Sequence, residues 1–153
     1  MEITDLLDSN NVIANFRPSS KKQTLQTLAR QLSKSTGLDA NDVFTALLAR
    51  ESLGSTGVGK GVGIPHARIK GLDEIQGLFA RLVTPVNFDS VDDRPVDLIF
   101  LLLAPEDAGA DHLKALAKVS RLLRDDKTCA KLRATEDNMA LFAMLTETAA
   151  KAA

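Results

Sequence analysis

The stretch Val96-Asp97-Leu98-Ile99-Phe100-Leu101-Leu102-Leu103-Ala104-Pro105 constrains the fold more than any other part of the chain. Its seven consecutive apolar residues, Leu98 to Ala104, leave no wet face. A strand of this kind is buried on both sides, so it lies centrally in a sheet with helices above and below. Seven residues also fall far short of the roughly 20 that a membrane-spanning helix needs.

The remaining pattern supplies the covering layers. A strand is expected over Val12–Phe16. Ser19 or Ser20 then caps a helix with an apolar stripe at Leu25, Leu28, Ala29 and Leu32, which Gly37 ends. Asp39 opens a second helix that buries Val43, Phe44, Leu47 and Leu48 and finishes near Arg50-Glu51. Ile75–Thr84 reads as a strand, and Pro85–Asp89 as a short strand or a turn. Pro105–Ala110 is loop. Asp111 caps a helix with Leu113, Leu116, Ala117 and Leu123 inward, followed by a short turn at Cys129–Leu132 and a terminal helix near 136–149. The fold class is α/β, a sheet covered by helices, in a single domain over 1–153.

Composition narrows the chemistry. Nineteen Lys and Arg against twenty Asp and Glu leave a net charge of −1, without the basic excess of a nucleic-acid binder. One cysteine, Cys129, forms no disulfide framework and fits a reducing cytoplasm. Two histidines, His66 and His112, have no spacing with Cys129 that suits a metal site, so neither metal nor cofactor is expected. The opening Met1-Glu2-Ile3-Thr4-Asp5-Leu6 is acidic where a secretory leader is basic, so the expected location is cytoplasmic, with no membrane insertion.

Between the second helix and Pro65 the texture changes. Residues 54–63 hold five glycines, at 54, 57, 59, 61 and 63. The segment approaches the nucleotide-binding pattern G-x-x-x-x-G-K-[ST] but carries Gly61 where a hydroxyl should hold magnesium. It also follows a helix, not a strand. An ordinary long turn explains one or two glycines. Five suggest a backbone that something approaches closely, with amides of Gly57, Gly59 and Gly61 and hydroxyls of Ser55 and Thr56 as an anion cradle. His66 follows the stiff Ile64-Pro65 step. An imidazole with one nitrogen pinned offers the other as a nucleophile, which suits reversible phosphorylation. His112, in the first turn of a helix, and Arg50, just before the loop, are placed to stabilise phosphoryl charge.

From Ala49 to His66 the chain closely resembles the active-site segment of the fructose/mannitol-type enzyme IIA domains of the bacterial phosphotransferase system. The likeness extends through Pro95–Pro105 and His112-Leu113 to Leu122-Leu123. Standing without attached IIB or IIC segments and opening a helix with Ser19-Ser20-Lys21-Lys22, it looks most like the nitrogen-regulatory branch. The resemblance implies a mixed sheet sandwiched between helices, and a phosphotransferase component in which His66 accepts a phosphoryl group from an HPr-type carrier. That carrier would be charged from phosphoenolpyruvate through an enzyme I relative. His112 matches the family's second active-site histidine and Arg50 its arginine. Lys60 stands where asparagine is common, and Ala67-Arg68 replaces a frequent Gly-Lys or Gly-Thr. Regulatory target proteins are implied but not identified. Two other readings remain: a sugar-specific IIA component passing phosphate to a IIB partner, and a non-transferring module that binds an anion or a partner. Ile64, Ile69 and Leu72 are either a docking patch for the carrier or part of the core.

Overall fold

A computed structural model describes the backbone of residues 1–152 and the side chains of residues 1–147. In chain order the elements are α1 (Ile3–Leu6), β1 (Leu7–Phe16), α2 (Lys21–Thr36), α3 (Ala40–Glu51), β2 (Gly57–Gly59), β3 (Val62–Gly63) and β4 (His66–Ile69). They continue as β5 (Gln76–Val86), β6 (Val96–Pro105), α4 (Ala110–Arg124), α5 (Asp126–Arg133) and α6 (Asn138–Ala152).

The strand order is β1-β5-β6-β3-β2, with β4 also on β6. β5 and β6 are antiparallel, and β1 lies parallel to β5. β3 and β4 run one after the other, both parallel to β6, along its second edge. The sheet is therefore mixed, as the family resemblance implies.

The apolar run in β6 faces two cores. Leu98, Phe100, Leu102 and Ala104 join one cluster with Ala115, Val119 and Leu122 of α4, Leu132 of α5, and Leu141 and Leu145 of α6. Ile99, Leu101 and Leu103 join the other, with Leu25, Leu28 and Leu32 of α2 and Val43 and Leu47 of α3. Successive side chains of a strand point to opposite faces, so an unbroken run requires both layers. All seven residues are fully buried.

Local signals set the helix ends. Ser20 caps α2 by accepting from the Gln23 amide, and Gly37 leaves it at φ +78°. Asp39 caps α3 through the amides of Asn41 and Asp42. Asp125 caps α5, which is a full helix and not the short turn expected at 129–132. α1 was not anticipated, and β1 begins five residues before the predicted strand because its polar first half, Asp8 to Asn11, hides the pattern.

Two faces differ from expectation. Leu48 is 42% exposed, on the outer side of α3. In α4 the inward face is His112, Ala115, Val119, Leu122 and Leu123, whereas Leu113 is 65% exposed and Ala117 also faces water. A stripe that starts at Leu113 is rotated by one residue from the observed face, which starts at His112. Asp111 lies inside the first turn of α4, and Gly109 holds the cap position at φ +57°.

Gly77 in β5 shows how tightly the sheet is drawn together. A Cβ there would lie 2.7 Å from the Leu6 carbonyl oxygen and 2.9 Å from Cε1 of Phe100. The oxygen belongs to the backbone and cannot swing aside. Gly77→Ala is expected to cost about 1–3 kcal/mol through overpacking. The loss should appear as a lower denaturant midpoint at unchanged slope.

Candidate active site

The glycine-rich segment is ordered by pairing. Gly57–Gly59 and Val62–Gly63 form an antiparallel hairpin whose two-residue tip, Lys60-Gly61, has φ of +57° and +79°. Positive φ at both tip positions matches the twist of a hairpin, and asparagine takes the first of them more readily than lysine. Lys60 is nevertheless fixed there: its amide donates to Asp92 at 2.8 Å and its carbonyl accepts from Arg133 at 2.8 Å.

The glycines serve packing. A Cβ on Gly57 would lie 2.0 Å from Oγ of Ser90, and one on Gly61 would lie 2.7 Å from Nη2 of Arg133. The Gly57 amide donates to Oγ of Ser55 at 3.0 Å, and the Ser55 hydroxyl donates to the Phe88 carbonyl. Thr56 is buried, with its amide 3.2 Å from Oε2 of Glu51 and its hydroxyl donated to Oε1. Of the expected cradle of Ser55, Thr56, Gly57, Gly59 and Gly61, the two hydroxyls and the Gly57 amide are engaged within the fold. Close packing accounts for Gly57 and Gly61, and the positive φ of the hairpin turn for Gly59 and Gly61.

His66, Arg50 and His112 do come together. Pro65 ends the break between β3 and β4, and its carbonyl accepts from the Leu102 amide at 2.9 Å. His66 then opens β4, an edge strand. Its Nδ1 lies 2.8 Å from the Ile64 carbonyl. That carbonyl only accepts, so Nδ1 carries the proton and Nε2 the lone pair. On the other side of the ring, Nε of Arg50 donates to Nε2 at 3.3 Å, while Nη1 donates to the Gly54 carbonyl at 2.9 Å. His112, third residue of α4, has its ring centroid 5.5 Å from that of His66, the planes inclined at 53°. His112 is 6% exposed, and its Nδ1 is buried without a hydrogen-bond partner among the described residues.

The electrostatics agree with this geometry. Burial pushes the His66 pKa below the usual 6.5, and the Arg50 cation adds to this against the opposing pull of the Ile64 bond and Glu51. His112 is also held low, first by burial, then by His66 and Arg68. Both rings thus favour the neutral form, and the positive field comes from Arg50, Arg68 and the amide end of α4.

A histidine with a lowered folded-state pKa contributes full stability above its unfolded value and loses it as protonation of the unfolded chain takes over. Melting temperature should accordingly fall as pH drops below about 6.5 toward the lower folded values of His66 and His112. His112→Gln should flatten that decline. The carboxyls of Asp92 and Asp125, held below 3.8, act only at more acidic pH.

Two features at the site carried no signal of their own in the sequence reading. One is Glu51, buried and ion-paired to Lys21 at 2.7 Å. The other is the Ile64 carbonyl as the anchor for the ring. A visible hint was Lys21, a cation at the amide end of a helix where it opposes the dipole. Of the three residues weighed as docking patch or core, Ile64 belongs to the core under α4, and Ile69 and Leu72 are partly buried against the core under α2 and α3. The exposed apolar residues of this region are Leu53, Val58 and Leu113. Among the described residues no group of His, Cys, Asp or Glu is arranged to hold a metal ion, and no helix is long and apolar enough to cross a membrane.

A family model described as "Phosphoenolpyruvate-dependent sugar phosphotransferase system, EIIA 2" matches residues 5–148. A nitrogen regulatory protein of Bradyrhizobium diazoefficiens is 52% identical over 145 residues, covering 95% of each chain. A fructose-specific EIIA component of Haloferax volcanii is 32% identical over 151 residues, covering 96% of this chain and 98% of its own. The crystal structure of the nitrogen regulatory protein IIA-Ntr from Neisseria meningitidis superposes with a TM-score of 0.89 at 37% identity, covering 94% of this chain and 99% of its own.

Proposed function

We propose, given that this chain belongs to the EIIA 2 family of the phosphoenolpyruvate-dependent sugar phosphotransferase system, that His66 is its phosphoryl acceptor and that it works as a nitrogen-regulatory component. The observation that carries the chemistry is the state of the His66 ring. Nδ1–H is tied to the Ile64 carbonyl, and the neutral Nε2 lone pair is presented beside a guanidinium.

The donor is an HPr-type carrier bearing phosphohistidine. Nε2 of His66 attacks phosphorus in line with the carrier's nitrogen. The new N–P bond forms as the old one breaks, and the departing nitrogen keeps that bond's electron pair. Negative charge is then spread over three equatorial oxygens. Arg50, bonded to Nε2 at rest, turns its donors to those oxygens as the lone pair is consumed. His112, whose ring centroid lies 5.5 Å from that of His66, offers a ring N–H to the phosphoryl group. Transfer between two nitrogens routes no step through a nucleotide.

Leu53, Val58 and Leu113 give the carrier an apolar rim. The level of identity to nitrogen regulatory proteins favours regulation over sugar uptake, in which a IIB partner would be the next acceptor. Its targets are proteins that distinguish the phosphorylated form from the unmodified one, and its place is the cytoplasm, where such carriers act. The test is intact mass after incubation with phosphoenolpyruvate, an enzyme I relative and an HPr-type carrier. One added phosphate, labile to acid and stable to alkali, is expected. An unchanged mass beside a charged nitrogen-branch carrier would overturn the reading in favour of a non-transferring binding module.

A further inference from the structure

The contact on Nδ1 of His66 leads back to one buried carboxylate, that of Glu51, and the contact on Nε2 leads back to the backbone of the same residue. Along the first path Glu51 accepts from the amide and hydroxyl of Thr56. The Thr56 carbonyl accepts from the Ile64 amide at 2.9 Å, and the Ile64 carbonyl accepts from Nδ1–H of His66 at 2.8 Å. Along the second, the turn that Glu51 closes onto Thr56 contains Gly54. The Gly54 amide donates to the Glu51 carbonyl at 3.1 Å, and its own carbonyl accepts from Nη1 of Arg50. Arg50 is thereby aimed at Nε2.

The carboxylate has its own support. Nζ of Lys21 lies 2.7 Å from Oε2 of Glu51, donates to the Phe88 carbonyl at 3.2 Å and sits 4.8 Å from the centre of the Phe88 ring. Asp89 is further off, at 3.7 Å. As a device for stability this arrangement is poor. A buried ion pair gains little over apolar packing, and Lys21 stands against the dipole of α2. Its value lies in fixing geometry, because three donors converge on one charged acceptor.

We infer that Glu51, with Lys21 as its counter-ion, is a positioning residue for phosphoryl transfer: it fixes which nitrogen of His66 is free and holds Arg50 against that nitrogen. The inference rests on His66 being the acceptor.

Glu51→Gln keeps the shape and leaves one acceptor oxygen for donors that now share two, so either Lys21 or Thr56 loses its partner. Turnover with a charged HPr-type carrier should fall about 10- to 100-fold, the size of loss that slight misplacement of reacting groups produces. The carrier concentration at half-saturation should stay within about twofold, since the docking surface is untouched. Nitrogen-15 spectra of the unphosphorylated protein should show His66 passing from a single Nδ1–H tautomer to a mixture. Lys21→Met, on a different element, should act in the same direction and carries the test if Glu51→Gln does not fold. Folded variants with the parental tautomer and turnover would overturn the inference. A parent that takes no phosphate would overturn the acceptor reading instead, and the tautomer comparison would still decide the role of Glu51.

Discussion

Replacing His66 with alanine is expected to abolish phosphorylation, with no mass added under conditions that convert the parent to its phosphorylated form. The size of the effect follows from covalent chemistry. The phosphoryl group needs a nitrogen with an available lone pair, and the ring of His112 is less suitable. His112 is buried, and its Nδ1 is shut away from the surface without a hydrogen-bond partner among the described residues. The variant should fold, because His66 is only partly buried on an edge strand and its main-chain ladder with β6 does not need the imidazole. Loss of phosphorylation with a cooperative melting transition retained above pH 7 separates a missing acceptor from a missing fold.

The second large effect is expected at Arg50. Arg50→Ala should slow transfer about 100-fold or more while still allowing complete phosphorylation at long times, the scale seen when one preorganised donor is removed from developing charge. Its guanidinium has two tasks, keeping the lone pair of Nε2 oriented at rest and neutralising oxygen charge during transfer. Arg50→Lys should recover only part of the rate, since an ammonium cannot hold the Gly54 carbonyl and face the ring through a planar fork at once. Stopped reactions read by intact mass distinguish the three proteins. An Arg50→Ala rate equal to the parent's would remove Arg50 from the mechanism.

The layered fold was legible because β6 allowed one solution. Seven buried residues in a row need a core on each side, and the periodic stripes of α2 and α3 supplied one of them. The caps at Ser20 and Asp39 were readable for the same local reason, a short polar side chain meeting free amides. The hairpin and β4 were not readable. Strands of two to four residues carry too few positions for alternation, and the glycines that enable the hairpin look like loop.

At the site, His66 and Arg50 could be seen because each stands next to a strong local feature, the Ile64-Pro65 step and the glycine run. The part played by the glycines could not be. Whether a side chain has room at Gly57 and Gly61 depends on Ser90 and Arg133, which arrive from 33 and 72 residues downstream of them. Glu51 was hidden for a related reason. Its partners, Lys21 and Thr56, lie on either side of it in sequence, and only folding shows that it is buried between them.

The most direct test of the account is the position of phosphorus on the ring, read by phosphorus–nitrogen coupling in the uniformly nitrogen-15-labelled, phosphorylated protein. The account predicts coupling to Nε2 of His66, with Nδ1 still bearing its proton and still bonded to the Ile64 carbonyl. Phosphorus on Nδ1 of His66, or on either nitrogen of His112, would contradict it.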